Sequence, residues 1–292
     1  MLESLHRVGS RIRNAPLLKK QAWLWNRVEP VWQLTFGRLA KERGYATRVN
    51  DDVFRLDYEY GARYDRNDRR IYEPSFYGPF VDRIRPGMTV FDIGAHIGLF
   101  ALGAARRVGH QGRVVAFEPA PETVSVLERH VAFNGFRDIV EVLPMVVSDS
   151  SEPVSFFVYH QSMAASMSRH NVEDLNPEQR DTPAQEVHVP ALTLDTFCRE
   201  RGMVPDVLKI DVEGAEYRVL LGARELLAKH DVTVLCEIHP LQMANCGGSV
   251  ALFDALVHSL GYRIEPLDEP NPAGIYHGLI VRGPSAGAAP AG

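Results

Sequence analysis

From Met88 onward the chain alternates short apolar runs, bounded by turns, with segments of helical period, and no other feature restricts its fold as much. Strands are expected at 88–93, 113–117, 139–147, 154–159, 206–211 and 231–238, with helices at 98–108, 121–134, 214–228 and 249–260. Alternation of this kind predicts an α/β domain built on a mostly parallel sheet covered on both faces. The last two apolar runs, 262–267 and 275–281, have only a Pro- and Gly-containing connection between them. With no helix to carry a crossover, they should pair as an antiparallel hairpin at the sheet edge.

At 292 residues the chain has room for one large domain with an appended segment. Residues 1–48 hold ten Lys and Arg against three acids, a balance of +7 that leaves −12 for the remainder. This basic arm is expected to be helical, and it contains all three tryptophans, Trp23, Trp25 and Trp32. Indoles at such spacing most simply cap a core; cationic neighbours also suit peripheral contact with a membrane surface or a lipid-linked substrate. A polar, aromatic segment at 49–85 follows and ends in Arg85-Pro86-Gly87, a turn that stops a helix before the main domain at 86–282. The tail at 283–292 has little to bury and is expected to be disordered. Residues 160–190 form the longest stretch without periodicity, a candidate lid carrying His160, Met163, Met167 and His170. Three widely spaced cysteines, Cys198, Cys236 and Cys246, build neither a disulfide framework nor a zinc ribbon and read as reduced thiols in a cytosol. No run is long enough for a transmembrane helix, and neither the overall charge nor any motif points to nucleic acid.

The sharpest local signal is VFDIGAHIG at 90–98, an apolar strand that runs into a glycine turn and then a helix. This order sets helix N-terminal amides at the carboxyl edge of a strand, where an anionic group of a nucleotide-like ligand can be held. A dinucleotide fingerprint would need glycines at 94, 96 and 99, whereas His96 and Leu99 stand at the last two, which argues against a nicotinamide-dependent oxidoreductase. A ligand with a single carboxylate needs less clearance, and the methionine part of S-adenosylmethionine is such a ligand. Glu118, in VVAFEP at 114–119, ends the next strand 24 residues after Gly94, near the spacing of about 20 expected for an acid that accepts from ribose hydroxyls. Ser148 and Asp149 end a third strand, where they could reach an adenine amino group or simply make a turn.

Further on, KIDVEGAE at 209–216 is followed by VLCEIHP at 234–240. Together with DIGAHIG, FEP and the stretch Leu192-Thr-Leu-Asp195, these blocks closely resemble the FkbM family of S-adenosylmethionine-dependent methyltransferases, over roughly residues 72–282. The resemblance implies a class I methyltransferase fold, Rossmann-like, with a seven-stranded sheet whose last hairpin is antiparallel. It implies transfer of a methyl group to a hydroxyl oxygen of a polyketide-like natural product, sugar or glycolipid. By position it places Asp92, Gly94, Ala95 and Gly98 around the methionine end, Glu118 on the ribose, Ser148 and Asp149 near adenine, and Asp211 near the reacting centre, while His96 in the same turn faces the cofactor or the acceptor or makes a helix-start hydrogen bond. Glu73, in Tyr72-Glu73-Pro74, matches an acidic position that family members often show. The family commonly reads Asn where this chain has His96.

Asp211 and Glu213 end one strand of the pattern, and Glu237 and His239 end its neighbour. Ligands of open parallel sheets sit outside such strand ends, so catalysis is expected there. An imidazole of ordinary pKa near 6.5 makes His239 a candidate general base, with a backbone-bonding role as the alternative. Asp211, Glu213, Glu237 and His239 could instead hold a divalent metal ion. Lys209 lies on the face of Asp211, two residues away, where it could pair with that carboxylate or stabilise an alkoxide. A noncatalytic protein that keeps the fold and docks at a membrane through the arm is a further reading.

Overall fold

The computed structural model describes residues 42–61, 72–158, 165–171 and 184–283. Most of the basic arm, the loop residues His160 and Met163, and nearly all of the C-terminal tail therefore lie outside the described residues. The chain forms two compact units, one comprising residues 1–72 with Arg129–Phe136 and the other Glu73–Glu128 with residues 137–292.

In the smaller unit, β1 (Tyr45–Val49) and β2 (Asp52–Leu56) form an antiparallel hairpin. Alternation explains it: Tyr45, Thr47, Val49, Phe54 and Leu56 point inward and are buried, around a tight turn at Asn50 and Asp51. Asn50 takes the left-handed conformation at φ 52°, and its side-chain amide exchanges two hydrogen bonds with the backbone of Tyr72 at 2.8 and 2.9 Å. The hairpin crosses position 48/49, where a helical arm was expected to give way to a polar segment. Its period-two pattern is present in the sequence but is only five residues long on each side.

The larger unit begins with α1 (Pro74–Val81) and is built on one seven-stranded sheet. In chain order its first part is β3 (Thr89–Ile93), α2 (Leu99–Val108), β4 (Arg113–Phe117), α3 (Pro121–Phe133) and β5 (Val140–Leu143). Next come β6 (Val146–Val147), β7 (Val154–Val158), β8 (Ala165–Ser166), β9 (Gln185–Val189), β10 (Ala191–Leu192) and α4 (Leu194–Arg201). The chain then returns through β11 (Val207–Ile210), α5 (Glu216–Leu221), α6 (Arg224–Lys229), β12 (Thr233–Ile238), α7 (Pro240–Asn245), α8 (Val250–Ser259), β13 (Tyr262–Pro266) and β14 (Tyr276–Arg282).

The strand order is β13-β14-β12-β11-β3-β4-β5. From β12 to β5 all pairings are parallel; β14 inserts antiparallel between β12 and β13. This is the class I methyltransferase arrangement, with the expected terminal hairpin. The core beside the sheet includes Phe91, Phe117 and Phe197, whose rings meet edge to face with centroids 5.4–5.8 Å apart. The sheet reverses direction of growth between β3 and β11, so their carboxyl ends define the switch point.

Three expected elements are subdivided or moved. The strand at 139–147 is two strands: β5 stays in the main sheet, while β6 pairs in parallel with β10. Pro144 sits at the break and has no N–H for the ladder. The helix at 214–228 is divided at Gly222 and Ala223 into α5 and α6. A Cβ on Gly222 would lie 2.0 Å from the Ser148 carbonyl, so this glycine permits a close backbone approach there. The strand beginning at Val154 belongs to a separate three-stranded sheet with β8 and β9. Part of the aperiodic stretch at 160–190 is thus regular structure.

Candidate active site at the carboxyl edge of the sheet

After β3 the chain turns through Gly94, His96 and Gly98, all with positive φ, at 77°, 52° and 91°. A Cβ at Gly94 would stand 1.8 Å from the carbonyl oxygen of Asp211, so only glycine lets the β3 and β11 ends approach this closely. His96 adopts without glycine a conformation that asparagine also tolerates, which accounts for its standing at a position where either residue is acceptable. Gly98 caps α2 with no side-chain bond to the first-turn amides.

Glu118, just past β4, fastens this turn. Its carboxylate oxygens accept from the amides of His96 and Ala120, each at 2.9 Å. Burial pushes its carboxyl up to about 7 despite those two bonds. Ser148 is fully buried and donates to Asp149 at 3.0 Å, while Asp149 also pairs with Arg218 at 3.2 Å.

Lys209 joins the two strand ends. Its ammonium lies 2.8 Å from the Gly94 carbonyl, 3.2 Å from Asp92 and 3.3 Å from Asp211. Three acceptors match three N–H donors, and the side chain is buried. Burial works against its charge, but Asp92, Asp211 and Glu73 raise its pKa. Asp92 is fully buried beneath the loop, with its pKa raised by burial and partly restored by Lys209. Lys209 therefore holds the glycine turn against β11, an arrangement that leaves it no donor for an alkoxide.

Past β11 and β12, four acids surround His239. Nδ1 lies 2.7 Å from the fully buried Glu216, and Nε2 lies 3.3 Å from Glu213 and 3.8 Å from Glu237. Burial disfavours the imidazolium, yet the Glu216 hydrogen bond and charge, with Glu213 and Asp211, push its pKa up to about 10. The imidazole of ordinary pKa assumed for a general base is thus replaced by a cation at neutral pH. Burial followed by the nearby Asp211 pushes Glu237 up to about 9, and burial pushes Glu213 up to about 7. Asp211 is itself lowered, because Lys209 and His239 outweigh its burial. Asp211 and Glu237 remain partly exposed, at 23% and 20%, whereas His239 is 2% exposed. Solvent-borne molecules therefore meet the two carboxylates before the imidazole.

Several participants were not singled out from the sequence. Glu216 orients His239; His277, from β14, lies with Nε2 3.7 Å from Glu237 and Nδ1 2.6 Å from Asp268. They meet Glu73, which the sequence did single out: left-handed at φ 38°, it falls in one cluster with Glu237 and His277. A second cluster able to hold a metal ion contains Asp211, Glu237 and His239; Glu213 belongs to neither. Asn171 is fully buried and donates to the carbonyls of Glu213 and Gln242 at 2.8 and 3.2 Å, supported by Ser166 at 3.1 Å from Glu213. These bonds hold Glu213 in its left-handed conformation at φ 51°. Histidine and asparagine without a local motif gave no signal for these roles.

A family model described as the methyltransferase FkbM domain matches residues 92–264. The chain is 26% identical over 226 residues to the 31-O-demethyl-FK506 methyltransferase FkbM of Streptomyces tacrolimicus, covering 70% of this chain and 84% of that protein. It is 31% identical over 157 residues to methyltransferase sdnD of Sordaria araneosa, covering 47% of this chain and 60% of the relative. Among solved structures, methyltransferase FkbM from Methylobacillus flagellatus KT aligns with a TM-score of 0.44 at 16% identity, over 76% of this chain and 60% of that one.

Proposed function

The chain belongs to the FkbM methyltransferase family, whose cofactor is S-adenosylmethionine, and from that premise we propose that it methylates a hydroxyl oxygen of a sugar, glycolipid or polyketide-like natural product. The observation that carries this reading is the convergence of the Gly94–Gly98 turn, Glu118 and the Asp211–Glu237 pair on one sheet edge at the switch point.

The donor set fits the cofactor. The amino end of α2, which has no side-chain cap, suits its carboxylate, Glu118 can accept from ribose hydroxyls, and Ser148 with Asp149 end the strand on the adenine side. When bound, the cofactor supplies an electrophilic methyl carbon on a sulfonium. The chain's part is alignment: Lys209 fixes the turn against β11, so the cofactor side and the acceptor side share one rigid frame. Such positioning can contribute roughly 7–11 kcal/mol to an in-line displacement.

The acceptor hydroxyl meets Asp211, which Lys209 and His239 keep ionised. As its oxygen gains the methyl group its proton passes to Asp211, to which the protonated Glu237 hydrogen-bonds. His239 remains an imidazolium that orients the carboxylates. Neither a nicotinamide oxidoreductase nor a noncatalytic docking protein draws support from these residues. Glycan or glycolipid specificity, and membrane contact through the basic arm, belong to this proposal as well; no helix among the described residues is long and apolar enough to cross a membrane.

Calorimetric titration with S-adenosylmethionine and S-adenosylhomocysteine, and with NAD as the control, tests the cofactor assignment. Saturable adenosyl binding weakened by Glu118→Ala is expected, followed by incorporation of labelled methyl into a hydroxylated acceptor. No adenosyl binding by folded protein would overturn it. Asp211→Asn should lower turnover by about 10²-fold or more while S-adenosylhomocysteine still binds; undiminished turnover would remove Asp211 from proton transfer.

A further inference from the structure

Two histidines in the larger unit are presented in the same way. His239 Nδ1 is held by Glu216 at 2.7 Å, and His277 Nδ1 by Asp268 at 2.6 Å. Each carboxylate can accept the Nδ1 proton, so that when a metal ion displaces the proton of Nε2 the lone pair left there faces away from that carboxylate. Both Nε2 atoms face one oxygen, Glu237 Oε1, at 3.8 and 3.7 Å. Those separations are too long for hydrogen bonds. They suit two donors on a common cation, because ligand atoms about 2.1 Å from an ion stand roughly 3–4 Å from one another.

Beyond the acids themselves, two observations point to a ligand. The His239 side chain is 2% exposed, and its Nε2 stands among carboxylates, 3.3 Å from Glu213 and 3.8 Å from Glu237. His277 Nε2 is a buried ring nitrogen without a hydrogen-bond partner, and the ring is further fixed by stacking on Phe76 at 4.4 Å. A histidine whose second nitrogen is held by a carboxylate, leaving the first to face acids, is the usual outer arrangement of a bound transition metal.

We propose that Glu237 is the shared ligand of a divalent transition-metal site, with Asp211 and His239 on one side and Glu73 and His277 on the other. The ligand atoms within each set lie within 4.8 Å of one another. Imidazole with carboxylate favours a first-row ion such as Mn²⁺, Fe²⁺ or Zn²⁺, whereas Mg²⁺ prefers oxygen and water throughout. Glu216 and Asp268 are positioning residues, acting through the imidazoles they hold. The site stands on this geometry and goes beyond the methyl-transfer reading, since binding needs neither donor nor acceptor.

The test uses the full chain stripped of metal, titrated with Mn²⁺ followed by electron paramagnetic resonance and with Co²⁺ followed by its visible absorption. One or two ions per chain are expected, with a nitrogen-containing coordination signature. Glu237→Gln should weaken binding by about 100-fold or more. Asp268→Asn should weaken it about 10–100-fold and alter the Co²⁺ spectrum, as loss of a histidine's second partner does elsewhere. His277→Gln changes a less deeply buried side chain and keeps the test available if His239→Gln fails to fold. No binding of either ion by folded protein, or binding unchanged in Glu237→Gln, would overturn the site. Full affinity in His277→Gln would overturn the His277 side of it. If metal does not bind but S-adenosylhomocysteine does, the site fails while the methyltransferase reading stands.

Discussion

Glu118 accepts two backbone amides on a carboxylate that is nearly fully buried, an arrangement that taxes the anion and waits on further donors. Its carboxyl is pushed up from 4.5 to about 7, so between those values the folded protein holds a proton that the unfolded chain has released. Raising pH through that window therefore removes stability, and the loss is complete above about 7. Ribose hydroxyls would supply donors to the ionised form, so S-adenosylhomocysteine affinity should rise as pH passes through about 7, with proton release on binding. Calorimetry in buffers of different ionisation enthalpy measures that release, and Glu118→Gln should abolish it; an unchanged proton count in the variant would assign the linkage elsewhere. Lys209 presents the opposite case, a buried cation fully matched by acceptors. Lys209→Met strands Asp92 and Asp211 and should cost about 3–5 kcal/mol in urea unfolding, whereas a cost under about 1 kcal/mol would deny the node its structural role. The sequence placed Lys209 on the face of Asp211 through strand periodicity alone. It could not show the Gly94 carbonyl, which arrives from a strand 115 residues away.

The elements that sequence periodicity identified are the buried apolar strands of the sheet and the helices that alternate with them. β3, α2, β4, α3 and β12 lie within a few residues of expectation, and the terminal hairpin follows from the missing crossover helix. Two of the divergences trace to single residues: Pro144 interrupts one strand, and Gly222 divides one helix by admitting the Ser148 carbonyl. β8 is only two residues long, and β9 buries only Val189, so neither displays an apolar period. Asn171 illustrates why the remainder was hidden, because its importance lies in two carbonyls, Glu213 and Gln242, that no local pattern connects to it. Asn171→Ala would leave those carbonyls short of a donor and should destabilise the protein by about 1–3 kcal/mol. Hydrogen exchange should then quicken in residues 165–171 and 211–216 before other parts of the sheet. Uniform quickening across the sheet would mean that Asn171 supports the whole core rather than this junction.

At the scale of the whole molecule, the residues proposed for the cofactor side come from four separate stretches around positions 92–98, 118, 148–149 and 209–211, all within the larger unit. Strand order brings them together, so an intact edge exists only when the seven-stranded sheet has formed. Binding there and folding of that unit are consequently one linked equilibrium. A ligand that binds the folded form alone adds about 2.7 kcal/mol of stability at 100 times its Kd. S-adenosylhomocysteine at that ratio should therefore raise the urea midpoint, and slow exchange at the amides of β3, β4 and β11, to the extent of that added stability. Folded Glu118→Ala protein should require a higher ligand concentration for the same shift, in proportion to its weakened affinity, while NAD should produce none. If the ligand binds tightly yet leaves sheet exchange unchanged, those amides open without disrupting the site, and the strand ends would not be what assembles it. Proportionality between affinity and protection is the outcome that ties function to topology, because no one of the four stretches can hold the ligand alone.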